Sequence, residues 1–131
     1  MRAILIVDDD AMSRMFVEMV VRKTGADVLK ADNGLKAVEK VKEGHEILVI
    51  VMDMSMPVMD GYEATKIIKS YKQDIPVIAL TSLNKEQQKQ KMIEAGCDII
   101  LNKPVAKKEL QNAIIKSLNK QEYNRSKGHH A

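Results

Sequence analysis

The sequence predicts an α/β domain in which five short strands alternate with five helices in a three-layer sandwich. Three observations predict it. Five short runs rich in aliphatic residues lie at Ala3–Val7, Asp27–Ala31, Ile47–Met52, Val77–Leu80 and Ile99–Leu101. Most of them lack polar alternation, which is the habit of strands buried on both faces of a parallel sheet. Between them lie segments with apolar residues at helical spacing, so strands and helices alternate and the sheet is covered on both sides.

The first run, AILIV, ends in three acids, Asp8, Asp9 and Asp10, any of which can cap the next helix. Met12, Met15, Phe16, Met19 and Val20 then follow the i, i+3, i+4, i+7 pattern of a buried helical stripe. Gly25 fits a helix C-cap. DVLKA carries Lys30, as an edge strand does. Asp32-Asn33-Gly34 reads as a turn, and Leu35, Val38 and Val41 as the inner face of a short helix. The central run, Ile47–Met52, delivers one carboxylate, Asp53, at its end. Pro57 cannot continue a central strand, and Gly61 permits a turn, so a loop follows. Ala64, Ile67, Ile68 and Tyr71 mark the third helix. Pro76 opens the fourth strand, which ends at Thr81-Ser82. Asn84 to Ala95 is a polar helix anchored by Met92, Ile93 and Ala95, and Gly96 ends it. After Ile99–Leu101 and Lys103-Pro104, Leu110, Ala113, Ile114 and Leu118 form the inner face of a last helix. Residues 121–131 read as a frayed, disordered tail, in which His129-His130 match the remnant of an expression tag rather than a metal site. Right-handed crossovers leave few topologies, and the one expected is flavodoxin-like, (βα)5 with strand order 2-1-3-4-5.

Composition narrows the function. A chain of 131 residues with 45% apolar and 30% charged residues is one ordinary globular domain. The net charge of +3 comes largely from dispersed lysines with no aromatic cluster for bases to stack on, so a solvated surface is expected and not a nucleic-acid site. A single cysteine, Cys97, excludes an internal disulfide and fits a reducing compartment, as a small buried side chain. No signal peptide and no apolar run of membrane-spanning length is present, so a cytoplasmic location is expected.

The strand ends converge. In the predicted order, four adjacent strands bring Asp8-Asp9, Asp53, Thr81 and Lys103 to one edge of the sheet, where open α/β sheets bind ligands. Like charges 4 Å apart repel by roughly 4 kcal/mol at an effective dielectric of 20, more than one Lys offsets. A hard divalent cation would offset the rest, and Mg²⁺ suits a site with few carboxylates that shares it with phosphate oxygens. With a Lys and a Thr beside it, such a site is suited to phosphoryl transfer, and a carboxylate can serve as the nucleophile.

The motifs LIVDDD, VMDMSMPVMDG, ALTS and NKPV, in this order and spacing, resemble those of response-regulator receiver domains. The resemblance covers residues 1–120. It implies that Asp53 is the phosphoacceptor and that Asp9 and Asp53 bind Mg²⁺ directly, with Mn²⁺ as an alternative ion. The backbone carbonyl of Ser55 joins them, and Asp8 acts mostly through a metal-bound water. Thr81 and Lys103 hold the phosphoryl group, and the Lys103-Pro104 bond is cis. It also implies a sensor histidine kinase or histidine phosphotransfer protein as donor, and a downstream protein on the face formed by residues 84–118. The protein itself would be a monomer or a phosphorylation-dependent dimer, a switch rather than an enzyme. Three positions depart from common members. Ile100 stands where many have an aromatic switch residue, Ser55 where the chemotaxis regulator has Asn, and Leu83 cannot position a hydrolytic water, so slow hydrolysis of the phosphoryl group is expected.

Two rivals come from other classes. LIVDDDAM also resembles the first motif of haloacid-dehalogenase-type phosphatases, with Asp8 as nucleophile and Asp10 as acid/base, but no acidic pair follows Lys103 and Asp53 would have no role. A receiver fold acting as a phosphorylation-independent binding module is the other, and the intact acidic set argues against it.

Overall fold

Ten elements alternate along the chain: β1 (Arg2–Val7), α1 (Ala11–Arg22), β2 (Asp27–Ala31), α2 (Gly34–Lys42), β3 (Glu46–Asp53), α3 (Gly61–Tyr71), β4 (Val77–Thr81), α4 (Glu86–Ala95), β5 (Ile99–Asn102) and α5 (Lys107–Gly128). The structure is a computed structural model that describes residues 2–56, 59–82 and 86–128, with side chains as far as Glu122. The strands pair in parallel in the order β2-β1-β3-β4-β5. This is the expected topology. Roles assigned above to Pro57, Leu83, Asn84 and the terminal histidines fall outside the described residues.

The continuous apolar runs read correctly because both faces of the sheet are covered. Along β3, Ile47, Ile50 and Met52 join a core shared with α2, α3 and α4, while Leu48, Val49 and Val51 join the other, shared with α1 and α5. A register shift between Ala3 and Ile4 against β3 accommodates Leu48. Helix starts are capped by side chains that follow from residue type: Asp10 Oδ2 accepts from Ser13 N, Asn33 Oδ1 from Lys36 N, and Asp60 Oδ1 from Glu63 N. Asn33 and Gly34 thus start α2 instead of forming the expected turn.

Four helix faces differ from the expected stripes. In α1, Val17, Val20 and Val21 are buried, whereas Met12 is 79% exposed, Met15 70% and Met19 47%. The helix carries more apolar residues than one face can bury, and the compact valines pack against the sheet while the long methionines turn outward. Leu35, Tyr71 and Ile93 are likewise exposed. Ala37 takes the inner place in α2, and Tyr62 and Thr65 join Ala64 and Ile68 in α3. α4 is held by Met92 and Ala95 without Ile93.

The C-terminal segment also differs from expectation. α5 continues to Gly128 where a frayed tail was predicted. The added residues include Lys, Gln, Glu and Arg and no Pro, all compatible with a helix, and Gln121 Nε2 donates to Leu48 O at 3.1 Å, tying the extension to β3.

Gly61 owes its place to close approach rather than to a turn. It is the first residue of α3, and a Cβ there would lie 2.7 Å from both Asp53 O and Met54 Cα, backbone atoms that have no room to move.

Two expected outcomes follow, both read by urea denaturation. Gly61→Ala destabilises the fold by roughly 1–3 kcal/mol through overpacking. Val20→Ala costs on the order of 2 kcal/mol while Met15→Ala stays within about 0.5 kcal/mol, whereas the predicted α1 stripe, with both residues buried, would make both costly.

Candidate functional site

The parallel register carries polar residues to one edge step by step. Val7 pairs with Met52, so Asp8 and Asp53 are the next residues on neighbouring strands. Asp53 pairs with Leu80, and Thr81 with Asn102, so Thr81 and Lys103 come next along the same edge. Bonds beyond the strands extend the ladder into the site: Asp8 N–H donates to Ala31 O (3.1 Å), Met54 N–H to Leu80 O (3.1 Å) and Lys103 N–H to Thr81 O (2.8 Å). The Lys103-Pro104 bond is cis, as the resemblance implies.

Asp8 and Asp53 are buried, at 1% and 5% exposure, while Asp9 is exposed. Carboxylate oxygens of the three lie within 4.8 Å of one another. Lys103 Nζ sits 3.4 Å from Asp53 Oδ1 and 4.0 Å from Asp8 Oδ2. Asp53 Oδ1 accepts from Ser55 N–H at 3.1 Å, and Asp8 Oδ1 from Asp10 N–H at 2.9 Å. Asp8 Oδ2 is buried with no hydrogen-bond partner, since Lys103 stands beyond bonding reach. Thr81 is buried at the same edge.

Burial pushes the carboxyls of Asp8 and Asp53 above the ordinary carboxylate value. The backbone amides of Asp10 and Ser55, and then Lys103, pull them back less strongly. A buried carboxylate oxygen with no hydrogen bond, beside two further carboxylates, is a costly arrangement that a hard cation would relieve. The donor set, all oxygen, fits Mg²⁺. A cleft of about 380 Å³ opens beside Asp8 and Lys103, walled by Met12 and Phe16 of α1 and by Pro104 and Val105.

All the acidic and basic residues expected at the site are thus brought together. Ile100 is partly buried and packs with the core that contains Met92 and Ala95 of α4. Asp10, the acid/base of the phosphatase reading, has its carboxylate engaged as the cap of α1. Cys97 is buried, and burial pushes its thiol up to about 11, which suits an inert core residue. Two residues went unnoticed in the sequence. Arg14 Nη1 donates to the backbone carbonyl of Asp8 at 2.7 Å. Tyr62 donates to Gln88 Oε1 at 3.1 Å, with Lys91 Nζ 4.5 Å from its ring centroid, so it joins α3 to α4. No motif announces either contact.

Known proteins resemble this chain in sequence and fold. The chain is 38% identical over 117 residues to the chemotaxis protein CheY of Bacillus subtilis, covering 88% of this chain and 97% of that protein. It is 37% identical over 117 residues to the autoinducer 1 sensor kinase/phosphatase LuxN of Vibrio harveyi, covering 89% of this chain but only 14% of that one. Among solved structures, the receiver domain of the sensor histidine kinase PA1611 from Pseudomonas aeruginosa, described with a magnesium ion coordinated in its active-site cleft, superposes with a TM-score of 0.81 at 30% identity. That match covers 89% of this chain and 97% of that one. Among the described residues no helix is long and apolar enough to cross a membrane. The family model for the response regulator receiver domain matches residues 4–115, the stretch that builds nearly all of the sheet and its acidic edge, and the chain belongs to that family.

Proposed function

We propose that this protein accepts a phosphoryl group on Asp53 from a phosphohistidine donor, in a Mg²⁺-dependent reaction that switches the domain between inactive and active states. The observation that carries the reading is the position of Asp53: buried, within 4.8 Å of two further carboxylates and 3.4 Å from Lys103. Asp8, Asp9 and Asp53, with the Ser55 carbonyl, would hold the cation. When bound, Mg²⁺ supplies the positive charge that offsets these carboxylates and orients the incoming phosphoryl oxygens.

An Asp53 carboxylate oxygen attacks phosphorus. The new P–O bond forms as the P–N bond to the donor imidazole breaks, and the imidazole nitrogen keeps that electron pair. Lys103 pairs with the phosphoryl oxygens, giving up its contact with Asp53 for a stronger partner, and the Thr81 hydroxyl donates to another oxygen. The cleft beside Asp8 and Lys103 opens on one side of the site, next to the cation that would pair with the phosphoryl oxygens. The donor is a sensor histidine kinase or a histidine phosphotransfer protein, in keeping with relatives that include both free-standing chemotaxis proteins and parts of sensor kinases. Movement of Thr81 would be read through Ile100, an aliphatic residue packed with the core under α4, and the signal would leave by the face of residues 84–118.

Incubation with acetyl phosphate and Mg²⁺, followed by intact-mass measurement, tests the proposal. The parent gains one phosphoryl group, and Asp53→Asn gains none; unchanged labelling of Asp53→Asn would refute it. Asp9→Ala loses the dependence on Mg²⁺, and Lys103→Ala still binds the metal but reacts roughly a hundredfold more slowly. The charge at the site also has a stability signature. A folded-state pKa raised above the unfolded value means that the folded chain holds protons the unfolded chain has released. Without a divalent cation, the contribution of Asp8 and Asp53 to stability therefore falls as pH rises from the ordinary carboxylate value through their raised folded values. At neutral pH in EDTA, Asp53→Asn should be more stable than the parent by on the order of 1 kcal/mol, and saturating Mg²⁺ should shrink or invert that difference.

A further inference from the structure

The loop between β1 and α1 holds two of the three metal-facing acids, and its backbone is braced by a cation that phosphoryl transfer does not use, Arg14. Arg14 bonds this loop twice. Its backbone N–H donates to Asp10 O at 2.9 Å, the first bond of the helix, and its guanidinium reaches back six residues so that Nη1 donates to Asp8 O at 2.7 Å. These two carbonyls flank Asp9. Asp9 is exposed and its carboxylate makes no hydrogen bond among the described residues, so its aim is set by the backbone on either side. Asp8 has its own fixed points, Asp8 N–H to Ala31 O and Asp10 N–H to Asp8 Oδ1, but neither of these holds the peptide that joins Asp8 to Asp9.

The cations that share a cleft with Arg14 are engaged elsewhere. Lys30 pairs with Glu18 at 3.1 Å and Lys36 with Asp32 at 3.0 Å. Both are surface pairs. Arg14 is partly buried and aimed at the loop carbonyl instead.

We propose that Arg14 is a positioning residue for the divalent-cation site: by holding the Asp8 carbonyl, its guanidinium fixes the Asp8-Asp9 peptide and so aims both carboxylates at the ion. The inference rests on the phosphoacceptor reading of this site. Its sign separates it from simple electrostatics. A positive charge near a cation site repels the ion, so removing Arg14 should tighten metal binding if charge alone mattered. Loss of positioning weakens binding instead.

The test is calorimetric titration of Mg²⁺ alone into the unphosphorylated full chain and its Arg14→Met and Arg14→Lys variants, with a thermal melt of each. Arg14→Met keeps the apolar stem and removes the donor; it should bind Mg²⁺ roughly tenfold more weakly than the parent. Arg14→Lys keeps the charge with a shorter, single-pointed donor and should fall between the two. Mg²⁺ affinity in Arg14→Met equal to or tighter than the parent overturns the inference. Should Arg14→Met not fold, Arg14→Lys decides, since its charge is unchanged: weaker binding than the parent supports positioning, and equal or tighter binding overturns it. A parent that binds no Mg²⁺ overturns the phosphoacceptor reading together with this inference, whereas a binding parent with unaltered variants overturns this inference alone.

Discussion

Repulsion among Asp8, Asp9 and Asp53 is the constraint around which the molecule is built. Carboxylates gathered within 4.8 Å of one another, two of them buried, drive their own protonation or the capture of a cation. They stay together because separate strands hold them. β1 and β3 are central neighbours locked by parallel pairing from Arg2 to Val7, and apolar cores on both faces keep either from sliding. The fold thereby stores an unfavourable arrangement of charge at one edge, offset by burial elsewhere. Lys103, delivered from the other side of β4, relieves only part of it. Its Nζ is near enough to Asp53 to pair but not to bond Asp8.

The same edge connects to the surface that would carry a signal. Gly61 lets α3 start against the backbone of Asp53 and Met54, so the segment that follows Asp53 and the start of α3 approach closely. Tyr62, the next residue, lies buried beneath α4 and reaches Gln88 and Lys91. α4 has little else to hold it: Met92 and Ala95 are its buried residues, and most of the rest is polar. A helix with so few apolar anchors would respond readily to a change at Asp53. Ile100, packed in the same core, offers a second aliphatic connection in place of an aromatic side chain.

Strand positions and their order were legible because burial on both faces writes a plain signature, an unbroken aliphatic run, and because the polar residues ending those runs matched the edge where open α/β sheets bind ligands. Helix rotation was not. α1 contains Met12, Met15, Phe16, Val17, Met19, Val20 and Val21, and periodicity cannot choose between the methionine and valine faces when both are apolar. Leu35 and Tyr71 were misplaced at helix ends, where a residue in phase with the buried stripe no longer lies over the sheet. The tail was misread for another reason: a polar segment without an apolar stripe resembles a coil, but good helix formers extend an existing helix at little cost, and Gln121 found a carbonyl to bond. The contacts of Arg14 and Tyr62 join side chains to distant or non-helical partners. No local spacing rule encodes them.

The claim on which all of this turns is that Asp53, rather than Asp8 or Asp9, forms the covalent bond to phosphorus. The most direct measurement is to phosphorylate the protein with acetyl phosphate and Mg²⁺, trap the acyl phosphate by borohydride reduction, and map the modified residue by peptide mass spectrometry. The account predicts reduction to homoserine at position 53 alone. Trapping at position 8, or a stable phosphate on a hydroxyl with no acyl phosphate at all, would contradict it.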